Sequence, residues 1–188
     1  MGVRSLDRKL FAVIAIAITA LTLGTMLGSG AGQVSLTENP TFSGHLLVEV
    51  ETQDGIAVYE VHNVVTTIGK THVLGYLENG TAGAENGIDW ISLSDDASPD
   101  DTWEVLAGEY SDYGLTRAEG ATIDVDATSY KIWKKFTCTA DSKAMKCSGL
   151  HWVDTGSGNL WAAAAFTATT LNNGDNITIT WTITHNGA

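Results

Sequence analysis

Residues 176–184 read Asn-Ile-Thr-Ile-Thr-Trp-Thr-Ile-Thr. Ile177, Ile179, Trp181 and Ile183 alternate with Thr178, Thr180, Thr182 and Thr184. A period of two puts every apolar side chain on one face, so this stretch is predicted to be a half-buried β-strand. Each apolar side chain gains about 1.5–3 kcal/mol on burial. A chain holding such a strand must supply a second apolar layer to cover it.

More strands are predicted upstream. "SGHLLVEVET" and "IAVYEVHNVV" are β-rich runs flanking "QDG", a hairpin signal. "IDWISLS" and "LWAAAAFTATTL" read as strands, and "NNGD" as a turn before the final strand. "WEVLAGEY" fits one helical turn or a short strand. "TTIGKTHVLGYLENG" is the helix candidate, with Ile68, Val73, Leu74 and Leu77 on a loose stripe and Gly80 to close it. "SYKIWKKFTCTA" and "AMKCSGLHWV" read as a second hairpin around "DSKA". With Ser142 and Lys143 as a two-residue turn, one register pairs Cys138 with Cys147 and Trp133 with Trp152. A Cys138–Cys147 disulfide is expected from that register. The fold class is all-β: an antiparallel β-sandwich or jelly roll with one short helix, over residues 43–188.

A signal or anchor helix is expected before it. Arg4, Arg8 and Lys9 precede the uncharged run "LFAVIAIAITALTLG", and small residues follow in "SGAGQ". That is the order of a secretory leader, with Gly28, Gly30 and Gly32 as small residues for a cleavage site. The run from Leu10 to Gly32 is also about long enough to span a bilayer, which takes roughly 20 residues. Residues 1–32 are therefore read as a signal peptide or a membrane anchor. A type IV pilin leader is disfavoured, because "RKLF" offers no small residue beside the basic one. Either way the rest of the chain is exported, and the protein is placed outside the cell or on its surface. There a disulfide is permitted.

The formal charge is −12, and the leader holds three of the ten basic residues. So acidic an exported domain repels nucleic acid and anionic lipid; membrane contact is expected only through the N-terminal segment before processing.

Chemistry is sparse. "DTGSGN" superficially resembles fragments of aspartic proteases and hydrolases, but it lacks a second Asp motif and is not Gly-x-Ser-x-Gly. No phosphate-binding Gly-rich motif occurs, and His45, His62, His72, His151 and His185 are scattered without a His-Glu-x-x-His pattern. A glycosidase needs two facing carboxylates; the chain has many carboxylates and six Trp, but Trp133, Trp152 and Trp181 sit at strand positions where packing explains them. No catalytic residue is assigned. The densest acidic stretch is "SLSDDASPDDTW", with Asp95, Asp96, Asp100 and Asp101 on one loop. It departs from EF-hand spacing, and two readings stand: a solvated loop, or a Ca²⁺ site built from carboxylate oxygens. Asp124 and Asp126 form a second acidic patch. Asn79 in "NGT" and Asn176 in "NIT" fit the N-glycosylation pattern, and Asn79, in an expected loop, is the better candidate.

The succession "YEVHNVVTTIGKTHVLGYL", "DWISLSDDASP", "GLTRAEGATI", "SYKIWKKFTCTA" and "NNGDNITITWTITHNGA" is similar to small β-sandwich structural proteins of viruses and of prokaryotic surface appendages. Together with the leader it resembles the secreted subunits of archaeal extracellular filaments: bundling pili, threads and cannula-like tubes. The resemblance implies a non-enzymatic homopolymer assembled head to tail, with calcium in the cannula-like members. It also implies donor-strand complementation, in which an extended N-terminal segment enters the sheet of the next subunit. Here that segment is Gln33 to Phe42, with Val34, Leu36 and Phe42 as apolar contacts and Pro40 at an edge or end. The final strand, Ile177 to Ile183, is long and regular, and as an uncovered edge it would invite that strand; whether it is an edge is not set by the sequence. The alternative is a membrane-anchored surface β-sandwich that binds a ligand such as carbohydrate.

Overall fold

The computed structural model describes residues 41–79, 87–96 and 98–186. The expected leader, Val34 and Leu36 lie outside them. In chain order the elements are β1 (Thr41–Thr52), β2 (Gly55–His62), β3 (Val64–Val65), α1 (Thr67–Asn79), β4 (Trp90–Ser94), β5 (Ala118–Glu119), β6 (Ala121–Asp124), β7 (Ser129–Thr137), β8 (Lys143–His151), β9 (Leu160–Leu171) and β10 (Asn176–Asn186). They form two five-stranded sheets, β2-β1-β10-β7-β6 (sheet A) and β3-β9-β8-β4-β5 (sheet B). Every pairing is antiparallel.

The two sheets pack face to face through one core. Sheet A contributes Leu46, Val48 and Val50 from β1, Ile132 and Phe136 from β7, and all four apolar residues of the alternating strand β10. Sheet B answers with Ile91 and Leu93 of β4, Met145 and Leu150 of β8, and Trp161, Ala162, Ala164, Phe166 and Leu171 of β9. Trp181 belongs to the same core, and its Nε1 donates to Ser148 Oγ across the layers at 3.2 Å. The indole therefore fills the core without stranding its N–H.

Local chemistry explains several boundaries. The first hairpin has the expected place, with Thr52 opposite Gly55 and Gln53–Asp54 as its two-residue turn. Gly55 at φ 141° takes a conformation open to glycine. Buried Thr66 caps α1: its Oγ1 accepts from Gly69 N at 3.0 Å and donates to Leu160 O at 2.5 Å. Gly69 lies so close to the Trp161 carbonyl that a side chain there has no room, which lets α1 seat against β9.

Four expectations are corrected. First, β7 and β8 are not a hairpin; they belong to opposite sheets. Their connection carries the chain across the sandwich, with Ser142 in the left-handed region at φ 58°. Cys138 N donates to Asp175 O and Gly174 N to Cys138 O, so this crossing is laced to the β9–β10 crossing instead. Trp133 consequently faces Thr180 and Ala121 rather than Trp152. Second, "WEVLAGEY" is neither helix nor strand but loop, with one isolated bridge between Glu109 and Ser94. Third, β10 is no edge: β1 covers one side and β7 the other. Fourth, Phe42 is part of β1, opposite His185 of the same chain and packed on its own core. Any segment that leaves the domain must end before Thr41.

Candidate functional site

Sheet A leaves its outer face to solvent, and its two edges differ from those of sheet B. Sheet B ends in two-residue strands, β3 and β5, the short edges that resist further pairing. Sheet A ends in the eight-residue β2 and the four-residue β6. Among the described residues β2 pairs only with β1, and β6 only with β7. On β2, Ile56 and Val58 are 72% and 56% exposed; beside them Glu60 holds His45 Nε2 at 3.1 Å. At the other edge Ile123 and Val125 are 52% and 50% exposed, next to Trp133 at 40%. Four successive antiparallel pairings make β2 and β6 run in the same direction.

In the acidic loop the carboxylates of Asp96 and Asp100 are engaged by neighbouring residues. Asp96 Oδ1 accepts from Ser98 N, and Asp100 Oδ1 accepts from both Thr102 N (2.8 Å) and Thr102 Oγ1 (2.7 Å). These bonds to Thr102 hold the Asp100 carboxyl below its ordinary pKa. Asp101 contributes its carbonyl, which accepts from Thr67 N at the start of α1. Asp126 repeats the Asp100 pattern with Thr128 in the β6–β7 turn. Among the described residues no three His, Cys, Asp or Glu side chains are arranged to hold a metal ion. The carboxylates of Asp96, Asp100 and Asp126 close turns.

Beneath the loop that follows β4 lies a network the sequence did not announce. Ser92 Oγ is 2.7 Å from His151 Nε2, and His151 Nδ1 is 2.8 Å from Asn159 Oδ1. Arg117 Nη1 also donates to Asn159 Oδ1, while Nε and Nη2 fork onto the Glu109 carboxylate at 2.8 and 2.7 Å. Asn159 Oδ1 can only accept, so the ring carries its proton on Nδ1 and Ser92 donates to Nε2. Asn159 Nδ2 ties down the carbonyls of Thr155 and Gly156. Burial lowers the His151 pKa to about 3, with the Arg117 charge adding to the effect.

Ser–His–Asn in this order is the geometry of an activated nucleophile. Yet Ser92 and His151 are fully buried and Asn159 nearly so. The backbone of Gly149 approaches them so closely that even a Cβ there would meet Ser92 Oγ at 2.8 Å and His151 Nε2 at 2.9 Å. With no room for a substrate, the network locks the loop carrying Glu109 and Arg117, and the 152–159 turn, onto the outer face of sheet B. "DTGSGN" is a connecting loop, and its Asn159 is a structural anchor. The one sequence signal for this network was a histidine inside the otherwise apolar run "SGLHWV".

Cys138 and Cys147 are free buried thiols. Cys138 belongs to the core between the sheets, and Cys147 to a second cluster with Leu106, Leu160 and Ala163 on the outer side of sheet B. The expected disulfide fails with the hairpin that motivated it. Burial pushes the Cys147 pKa up to about 12. Asn79 is the last residue of α1 rather than a loop residue. Asn176 opens β10, and its Oδ1 accepts from Thr137 Oγ1 at 2.7 Å. No helix among the described residues is long and apolar enough to cross a membrane. Compared with protein-family models, curated proteins and solved structures, the chain finds no match in any of the three.

Proposed function

We propose that this protein is a non-enzymatic structural subunit of an extracellular filament, built from copies of itself. The observation that carries the reading is the pair of unlike edges of sheet A, neither of which pairs with a further strand among the described residues. Isolated β-edges with exposed apolar residues are templates for further pairing. Here one edge offers Ile56 and Val58 and the opposite one offers Ile123 and Val125. Contact between two different patches on identical subunits is heterologous, and it extends without limit unless rotation closes it into a ring. Because β2 and β6 run in the same direction, simple translation sets the β6 edge of one copy beside the β2 edge of the next as a parallel pair. The secretory character of the leader and the dry, unreactive Ser92–His151 network support the same reading. Electron microscopy of the mature protein, with Ile56→Lys/Val58→Lys as the comparison, tests it.

A further inference from the structure

The acidic patch of Asp124 and Asp126 borders an aromatic cavity at one end of the sandwich. Strand register puts it there. Tyr130 of β7 pairs with Ile183 of β10 on one side and with Asp124 of β6 on the other. Ile183 and Ile132, two residues along β7 from Tyr130, are buried in the core. The row Ile183–Tyr130–Asp124 therefore lies on the core-side face of sheet A. It runs from aliphatic to aromatic to carboxylate. Trp161 joins it from sheet B and Phe42 from β1, around a cavity of about 340 Å³ that Val73, Ile88 and the β6–β7 turn complete. That volume is within the ~300–1,000 Å³ usual for binding pockets. Phe42, Val73, Ile88 and Tyr130 are only partly buried against the core, so packing stops short at this end.

The charge around this cavity has one sign. Asp124 and Asp126 are exposed at its rim, and among the described residues no Lys or Arg lines it. Lys131, next to Tyr130, stands on the opposite face of β7. Bonds from Thr128 hold the Asp126 carboxyl below its ordinary pKa, so it stays ionised. Burial, with the charge of Asp89 adding to it, pushes the Tyr130 phenol up to about 12, so the ring stays neutral. Three aromatic side chains under a negative rim complement an organic cation, which the electron-rich face of an aromatic ring attracts. A primary ammonium would bring three N–H donors, each needing an acceptor. The walls are aromatic and aliphatic, and the carboxylates stand only at the rim. A quaternary ammonium has no donors and meets such walls with methyl groups. We propose that the cavity binds a small quaternary ammonium ion, its head among Phe42, Tyr130 and Trp161, with Asp124 and Asp126 keeping the mouth negative. Neither Ile56 nor Val58 lines the cavity, so this site is independent of the filament reading.

The test uses the full chain carrying Ile56→Lys/Val58→Lys, which leaves the cavity intact and keeps edge pairing from obscuring the spectra. Choline is titrated while the methyl resonances of Val73, Ile88 and Ile183 are followed by NMR. Its neutral carbon analogue, with a tert-butyl group in place of the trimethylammonium, is titrated in parallel. The expected result is a saturable shift with choline and about fivefold weaker binding of the neutral analogue. Tyr130→Leu should weaken choline about three- to tenfold and change the analogue little. Because Tyr130 touches the core, a second variant lies wholly in the exposed turn: Asp124→Asn/Asp126→Asn, which keeps an acceptor for Thr128. It should bring choline down toward the analogue and flatten the dependence of binding on salt. No saturable shift with choline, or equal binding of choline and the neutral analogue, overturns the proposal. Choline binding unchanged in the Asp124→Asn/Asp126→Asn variant overturns the role given to the two carboxylates.

Discussion

Ser92 on β4 and His151 on β8 are joined by a 2.7 Å hydrogen bond in a region without solvent access. Each needs the other, because neither has water to turn to. Replacing Ser92 by Ala removes the donor to Nε2 and leaves a buried acceptor unpaired. The expected cost is about 1–3 kcal/mol, read as a lower melting temperature. A substitution at Ser92 that leaves stability unchanged would show that the bond contributes nothing.

The same network makes stability depend on pH. His151 titrates at about 3 in the folded protein, against an ordinary 6.5. Between these values the unfolded chain takes up a proton that the folded chain refuses. The His151 contribution is therefore complete above pH 6.5 and is lost as pH falls toward 3, by up to ~1.4 kcal/mol per pH unit. Denaturant melts at pH 7 and pH 5 should show the decrease, and the His151 ring should remain neutral by NMR at pH 5. A protonated ring in folded protein at pH 5 contradicts this.

Cys138 and Cys147 are expected to resist alkylation in the native state, where both are buried. Both should react once the chain is unfolded without reductant. Intact mass then gains two adducts. A chain that gains none until reductant is added holds a bridge after all.

The acidic loop is held by its own turns. Asp100→Ala should speed hydrogen exchange at the Thr102 amide, whereas Asp100→Asn, which keeps an acceptor, should change it little. With Asp96 and Asp100 already engaged in turns, the melting temperature should be the same in Ca²⁺ and in chelator. A rise with free Ca²⁺, lost when Asp95, Asp96, Asp100 and Asp101 become Asn, would establish the cation reading instead.

Much of the local structure was legible. Alternation at Ile177–Ile183 identified a half-buried strand, "QDG" a hairpin, and Thr66 to Gly80 a helix. What was not legible is which strands meet. A period of two tells the face of a side chain but not the sheet that owns the strand. "DSKA" resembles a hairpin turn over four residues, while the crossing from β7 to β8 depends on bonds to the distant Asp175 and Gly174. Whether β10 is an edge was not legible either, because the strands that flank it, β1 and β7, are remote in sequence. Ser92, Arg117, His151 and Asn159 converge from three separate stretches, so no motif spacing could reveal them. The acidic loop was read correctly as a loop; the turn-closing bonds of Asp96 and Asp100 depend on side-chain geometry that composition does not carry.

The central claim is that the open edges of sheet A join copies of this protein end to end. Negative-stain electron microscopy of the mature chain tests it most directly, beside the Ile56→Lys/Val58→Lys variant. The account predicts unbranched filaments of indefinite length for the wild type, and folded monomers or short oligomers for the variant, whose charges blunt the edge. A wild type that remains monomeric at high concentration, or a variant that forms filaments as long as the wild type's, would contradict it.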